Sequence, residues 1–300
     1  GFFSPLSLIL TTFGILFFHL FSNLYNDYFD VTSGTDEANT EYFNAGMNSS
    51  MLKGAQLSGG SRAVELGLIT IKGTKSLANI MFVLGLLTAA GILYTSYLNT
   101  GSTINAYYSS IIALTGILIG YFYTAKPIRL SSRYGLGEVS IFLAFGPLLT
   151  LGTGFAISNE TIQLFSNEFY NLLVLGIPIG ILTTNILFIN QYPDYTSDKK
   201  VGKNHLVVLL GKKASRWIYA LNSAIAIGSL YFISENIVND TQSLLFMYLL
   251  IPITIIYSFY LISGLFKYYN SRELIKYNIH TIYFHMFFSF VYMIILANFQ

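Results

Sequence analysis

The chain has no cysteine, a single tryptophan, six prolines and few charges, with only 10% of its 300 residues Asp, Glu, Lys or Arg. Missing thiols exclude disulfides, thiolate nucleophiles, iron–sulfur clusters and Cys-ligated zinc. Missing charge excludes an ordinary water-facing surface, where about a quarter of the residues would be ionised. A net charge of +2 provides no basic face for nucleic acid, so no nucleic-acid partner is expected. No cleavable secretory signal is recognisable, and no obligate protein partner is evident. Without a Pro/Gly/Ser-rich linker to divide it, the chain reads as one domain, residues 1–300.

What is present is apolar length. Hydrophobic residues make up 53% of the chain, and they fall into stretches at 4–26, 77–98, 104–123, 139–157, 170–191, 217–234, 243–266 and 279–298. Each approaches the roughly 20 helical residues that cross a bilayer. The fold class expected is therefore all-α, a polytopic transmembrane helical bundle of about eight spans with the lipid bilayer as its solvent.

With eight spans the loops alternate sides, and all sixteen Lys and Arg residues fall on one of them. The opposite loops carry acids only, Glu160, Glu168, Glu235 and Asp240. The positive-inside rule makes the basic face cytoplasmic, so chemistry is expected there.

Two oxygen-rich clusters close spans on that face. Span one ends in Asn23, Asn26, Asp27 and Asp30, where the i, i+4 spacing stacks Asn23 on Asp27 and Asn26 on Asp30. Span five ends in Asn190, Asp194 and Asp198, again four apart, with Pro193 inside the helical frame. Pro removes one backbone hydrogen bond and frees a carbonyl near Ile189. Carboxylates at a membrane boundary are costly unless they face a polar cavity or a cation. Oxygen donors without His or Cys suit a hard ion, and Mg²⁺ is typically held by one or two carboxylates plus substrate phosphate oxygens and water. The clusters thus point to Mg²⁺ and a polyphosphate substrate. Cationic partners for a diphosphate stand on the same face, namely Arg62, Lys126, Arg133, Lys199 and Lys203.

At this point the residues resemble the UbiA superfamily of membrane prenyltransferases, through Asn26-Asp27-Tyr28-Phe29-Asp30 and Asp194-Tyr195-Thr196-Ser197-Asp198. The likeness runs from about residue 20 to 215 and is nearest to the branch that prenylates 1,4-dihydroxy-2-naphthoate for menaquinone. It rests there on Asp36 after Gly34, Ser-Gly-Gly-Ser-Arg at 58–62, Gly-Leu-Gly-Glu at 135–138 and the run at 201–211. The resemblance implies nine helices around a central cavity, two Mg²⁺ ions bridging an isoprenyl diphosphate to the Asp motifs, and a lipid-facing opening for the isoprenyl tail. The family's first helix, with its Arg, has no counterpart before Gly1, so an N-terminal helix is expected to be missing. Gly34 stands where the family commonly has a third Asp, and Gln-Tyr-Pro-Asp replaces the branch's Asn-x-Arg-Asp at 191–194.

The mechanism expected is prenyl transfer to a hydrophobic acceptor. Asp27, Asp30, Asp194 and Asp198, with Asn23, Asn26 and Asn190, hold the metal, and Arg62, Lys126 and Lys203 stabilise departing pyrophosphate. Tyr123 and Tyr192 are the aromatic faces nearest the motifs for an allylic cation, and His19 lies one turn before Asn23. Gly116 with Gly120 and Gly176 with Gly180 form small-residue pairs for close helix approach. The polar stretch 44–62 is a candidate lid. Geranylgeranyl transfer to a glycerol phosphate ether lipid, or to another quinone-type acceptor, would use the same diphosphate machinery. The non-enzyme alternative is a cation-coupled transporter, but both clusters lie at helix ends rather than at the bilayer midplane.

Overall fold

A computed structural model describes residues 4–32, 63–64 and 67–297. Among these residues it contains ten α-helices, which form eight spans long and apolar enough to cross a membrane. In chain order they are α1 (Pro5–Thr32), α2 (Ile71–Thr100), α3 (Ile104–Phe122), α4 (Leu136–Phe145), α5 (Pro147–Ile157), α6 (Asn167–Leu175), α7 (Ile177–Lys200), α8 (Leu206–Asn236), α9 (Thr241–Tyr268) and α10 (Leu274–Ala297). A 3₁₀ turn, Leu130–Ser132, precedes α4. The fold is thus the all-α transmembrane bundle that the apolar lengths dictate. Each of the eight hydrophobic stretches lies inside one span to within a residue at its ends.

Helix ends follow local chemistry. Thr70 caps α2 by accepting from the Gly73 N–H, Ser166 caps α6 through the Phe169 N–H, and Asp240 caps α9 through the Ser243 N–H at 2.6 Å. Each side-chain oxygen satisfies an amide that a helix start leaves without a partner.

Two spans are broken in mid-membrane. Gly146 and Pro147 divide α4 from α5, and Gly176 with Pro178 divides α6 from α7. The breaks cross each other at backbone contact. A Cβ on Gly176 would lie 2.5 Å from the Gly146 carbonyl carbon, and one on Gly146 would lie 2.9 Å from the Gly180 Cα. Only residues without a side chain fit at that crossing. The pair Gly176 and Gly180 therefore serves close approach within the chain. Gly116 and Gly120 divide that role: Gly120 meets Ser22 of α1, whereas Gly116 faces open space.

The halves differ in density. From α6 to α10 a continuous core runs through Phe188, Ile189, Leu230, Met247 and Phe288, all fully buried. In α1–α5 the buried apolar side chains form two small clusters, around Phe21, Tyr25 and Ala78 and around Leu151, Phe155 and Ile162. Between them lies a chamber.

Candidate active site

The chamber has a volume of about 690 Å³ and is walled by α1, α2, α3, α4 and α5, within the usual range of small-molecule sites, roughly 300–1,000 Å³. Ile15, Leu16, Leu86, Ile117 and Leu148 make most of its surface apolar, while Asn23, Asn26 and Tyr123 gather at one end. His19 also lines it, edge-on to Phe145, with Nε2 3.1 Å from the Asn23 Nδ2. The Asn26 side-chain oxygen accepts from the Thr124 hydroxyl at 2.7 Å, which ties the end of α1 to the end of α3.

One carboxylate from each acidic cluster meets the other beside that polar end. Lys203 Nζ lies 3.6 Å from the Asp30 carboxylate of α1 and 3.7 Å from the Asp198 carboxylate of α7. Residues 168 positions apart in the chain thus share one ammonium. The chain builds this junction through the end of α7. Gly202 adopts φ 74°, the left-handed region glycine occupies without penalty. The amide of Gly202 then reaches the Lys199 carbonyl and that of Lys203 the Asp198 carbonyl, a Schellman closure that lays Lys203 back over the last turn.

His205 fixes the other side of Asp198. Its Nδ1 accepts from the Val208 N–H and caps α8, so Nε2 carries the proton and donates to the Asp198 Oδ2 at 3.1 Å. Glu138, buried in the first turn of α4, accepts from the Leu206 N–H at 2.9 Å and from the Gln191 side-chain amide at 3.1 Å. One carboxylate therefore joins α4, α7 and α8. The loops before α4 and α8 also pair directly, because the Tyr134 N–H donates to the Asn204 carbonyl and the Asn204 N–H to the Ser132 carbonyl. Burial and the nearby carboxylates of Glu138, Asp30 and Asp198 push the Tyr123 phenol well above its ordinary range, so it remains a protonated donor.

The other expected site residues distribute unevenly. Asp27 is half-buried just before Asp30, and Asp194, also half-buried, is in electrostatic range of Lys212. Arg129 is in electrostatic range of Asp30. Lys126 is exposed on the loop after α3, and Arg62 lies outside the described residues, as do Gly34, Asp36 and the candidate lid. Asn190 accepts from the Asn278 amide of α10 at 3.1 Å, which directs it to the C-terminal half.

Three of the expected site residues make other contacts. Tyr192 has no exposed surface and its hydroxyl is bonded to Ser215 in the core, so it offers neither a phosphate donor nor a cation-facing ring. The Arg133 guanidinium is held at 2.6 and 2.7 Å by the carbonyls of Ile128 and Pro127, where it braces its own loop. Lys199 sits over the Tyr195 ring at 5.7 Å, on a neighbouring face of α7. Helical geometry carried a warning for two of them: Tyr192 is two residues from Asn190 and Asp194, and Lys199 is one from Asp198, so neither shares the face of the motif.

Glu138, His205 and Thr124 are contributors that spacing alone missed. An acid in a first helical turn was the available signal for Glu138. The donor set suits Mg²⁺. Among the described residues no three His, Cys, Asp or Glu side chains form a closed cluster, and the Asp30 and Asp198 carboxylates come from two helices to share Lys203. That suits an ion completed by phosphate oxygens and water rather than one caged by protein.

Comparison with known proteins gives this architecture a place. The chain resembles the 1,4-dihydroxy-2-naphthoate octaprenyltransferase of Escherichia coli (strain K12), with 30% identity over 226 residues, 73% of this chain and 62% of that protein. The Bacillus subtilis (strain 168) protein of the same name is 27% identical over 214 residues, 71% of this chain and 58% of that protein. The matched stretch thus spans about three-fifths of the length of these relatives. A UbiA homolog from Archaeoglobus fulgidus, solved bound to GPP and Mg²⁺, shares the fold with a TM-score of 0.59 and 18% identity over 97% of this chain and 89% of that one. The UbiA prenyltransferase family profile matches residues 1–291, and the chain belongs to that family.

Proposed function

We propose that this protein transfers an isoprenyl group from an isoprenyl diphosphate to a lipid-soluble aromatic acceptor and releases pyrophosphate. The observation that carries the reading is the junction of Asp30, Lys203 and Asp198, one helical turn beyond Asn26, which lines the polar end of an apolar chamber. A charged head and a long hydrocarbon tail match that pairing of environments. The names of the E. coli and B. subtilis relatives support 1,4-dihydroxy-2-naphthoate as the acceptor. An ether-lipid glycerol phosphate is the alternative acceptor.

In this mechanism Asp27, Asp30, Asp194 and Asp198, with Asn23 and Asn26, would hold Mg²⁺, two ions in our reading. When bound, the metal supplies positive charge that neutralises the diphosphate and favours its departure. Lys203 moves its charge from the two carboxylates to the phosphate oxygens as pyrophosphate leaves, with Arg129, Lys126 and Arg62 reinforcing that field. His205 and Glu138 position Asp198 and the α7–α8 turn, while Tyr123 donates a hydrogen bond from its protonated phenol. The apolar walls keep water from the allylic carbon until the acceptor bonds to it. The basic end faces the cytoplasm by the positive-inside rule.

The test is to give the purified protein geranylgeranyl diphosphate, Mg²⁺ and a panel of acceptors, and to follow pyrophosphate release and the prenylated product by mass spectrometry. Turnover should require the divalent ion and vanish in Asp194→Asn. Turnover that persists in excess chelator, or in that variant, would sink the metal mechanism.

A further inference from the structure

On the same side of the membrane, but apart from the chamber, a second cavity of about 790 Å³ opens between the end of α7, the start of α8 and the end of α9. Tyr195, Lys212, Lys213, Arg216, Trp217 and Tyr269 line it, and no residue is common to both cavities. Two of its three cations, Arg216 and Lys212, make defined contacts. The Arg216 guanidinium lies 4.5 Å from the Phe266 ring and 4.4 Å from the Tyr269 ring. It donates to the Phe266 and Lys213 carbonyls at 2.9 and 3.0 Å, so its planar fork is held before any ligand arrives. Lys212 stands 5.5 Å over the Tyr195 ring. Among the described residues no Asp or Glu lines the cleft, and Asp194 is within electrostatic range of Lys212.

The backbone adds to the positive field. Gly211, with φ 78°, interrupts α8, so the helix restarts at the cleft wall with Lys212 and Lys213 in its first turn. Trp217 is 66% exposed on the cleft wall, and exposed indole rings favour the headgroup layer of a membrane. From it Leu221 and Ile225 continue an exposed apolar row at four-residue spacing along one helix face. A phosphate in the cleft would therefore leave its acyl chains lying along α8.

We propose that this cleft binds the phosphate headgroup of an anionic membrane phospholipid. Basic pockets between transmembrane helices on the leaflet side hold such headgroups by charge and by directed N–H donors. The ordered Arg, the two lysines, the interfacial Trp and the apolar row each fit one part of that molecule. The proposal does not depend on the prenyl-transfer reading.

The experiment is native mass spectrometry of the delipidated full chain titrated with phosphatidylglycerol, phosphatidylcholine or inorganic pyrophosphate. Wild-type protein should retain phosphatidylglycerol in preference to phosphatidylcholine. The double change Lys212→Gln, Lys213→Gln should weaken that retention roughly twentyfold, about fivefold per lysine, and Lys212→Arg, Lys213→Arg should restore it. Asp30→Asn should bind the lipid as wild type does, which separates this site from the prenyl-transfer site. Equal retention of the two lipids by wild type, or an unchanged preference in the Gln double variant, would overturn the proposal. So would pyrophosphate that displaces phosphatidylglycerol from wild type but binds no more weakly to the Gln variant than to wild type's lipid-free cleft.

Discussion

In the half built from α6 to α10, side chains such as Phe188, Leu230 and Phe288 have no exposed surface. In the half built from α1 to α5, a chamber of about 690 Å³ stands where such a core would be. The spans of both halves are apolar enough to cross a membrane, so hydrophobicity alone does not account for the difference. Side-chain volume and helix spacing do. Gly176 and Gly180 let the broken helices touch at Gly146, whereas Gly116 puts a bare backbone against empty space. The dense half supplies a rigid platform for Asp198, His205 and Lys203, and the hollow half supplies room for a hydrocarbon chain.

The comparison can be broken most sharply at the junction of the two halves. Asp30→Asn and Asp198→Asn, one on each side, should each lower pyrophosphate release by about a thousandfold, or ~4 kcal/mol, with thermal unfolding little changed. A loss below tenfold in either would separate the two motifs functionally.

Core density makes the next prediction. Phe188→Ala should cost about 3–5 kcal/mol of stability, whereas Leu148→Ala, on the chamber wall, should cost about 1 kcal/mol or less because it enlarges a space that already exists. Denaturant unfolding in detergent reads both, and equal losses would mean that the hollow half is as tightly packed as the dense one.

Glu138→Ala leaves the buried Leu206 N–H without its acceptor, so a loss of about 1–3 kcal/mol is expected. Glu138→Gln, which keeps a side-chain oxygen, should recover most of it. If both variants unfold at the wild-type temperature, Glu138 does not join the halves as described.

The smallest effect is expected at Gly116, set against Gly176. Gly176→Ala places a methyl group against the Gly146 backbone and should destabilise by roughly 1–3 kcal/mol. Gly116→Ala meets nothing within 4 Å and should be neutral or slightly stabilising, since alanine gains up to about 1 kcal/mol in a helix. The difference in melting temperature between these two variants measures the contrast directly.

Much of the architecture was legible because a bilayer imposes it. A span must be long and apolar to satisfy its backbone, so residues 77–98 or 243–266 declare themselves without reference to any neighbour. The stacking of Asn26 on Asp30 and of Asp194 on Asp198 was legible for a similar reason, since helical spacing is local. Tyr192 is close to the second motif in sequence, yet its ring turns to the core, because helix rotation and not sequence distance decides what it faces. Glu138 and His205 went unassigned because their partners, Leu206 and Asp198, depend on how two loops meet at Asn204.

The sequence by itself determined that the chain crosses a membrane, how many times it does so, and which end of the bundle collects its cations and its two acidic clusters, because hydrophobic length, charge and helical period are read one segment at a time. Only the tertiary structure decided that Asp30 and Asp198 meet at Lys203, that Tyr192 turns to the core, and that one half is hollow. These outcomes depend on the packing and rotation of helices against one another, which no single segment encodes.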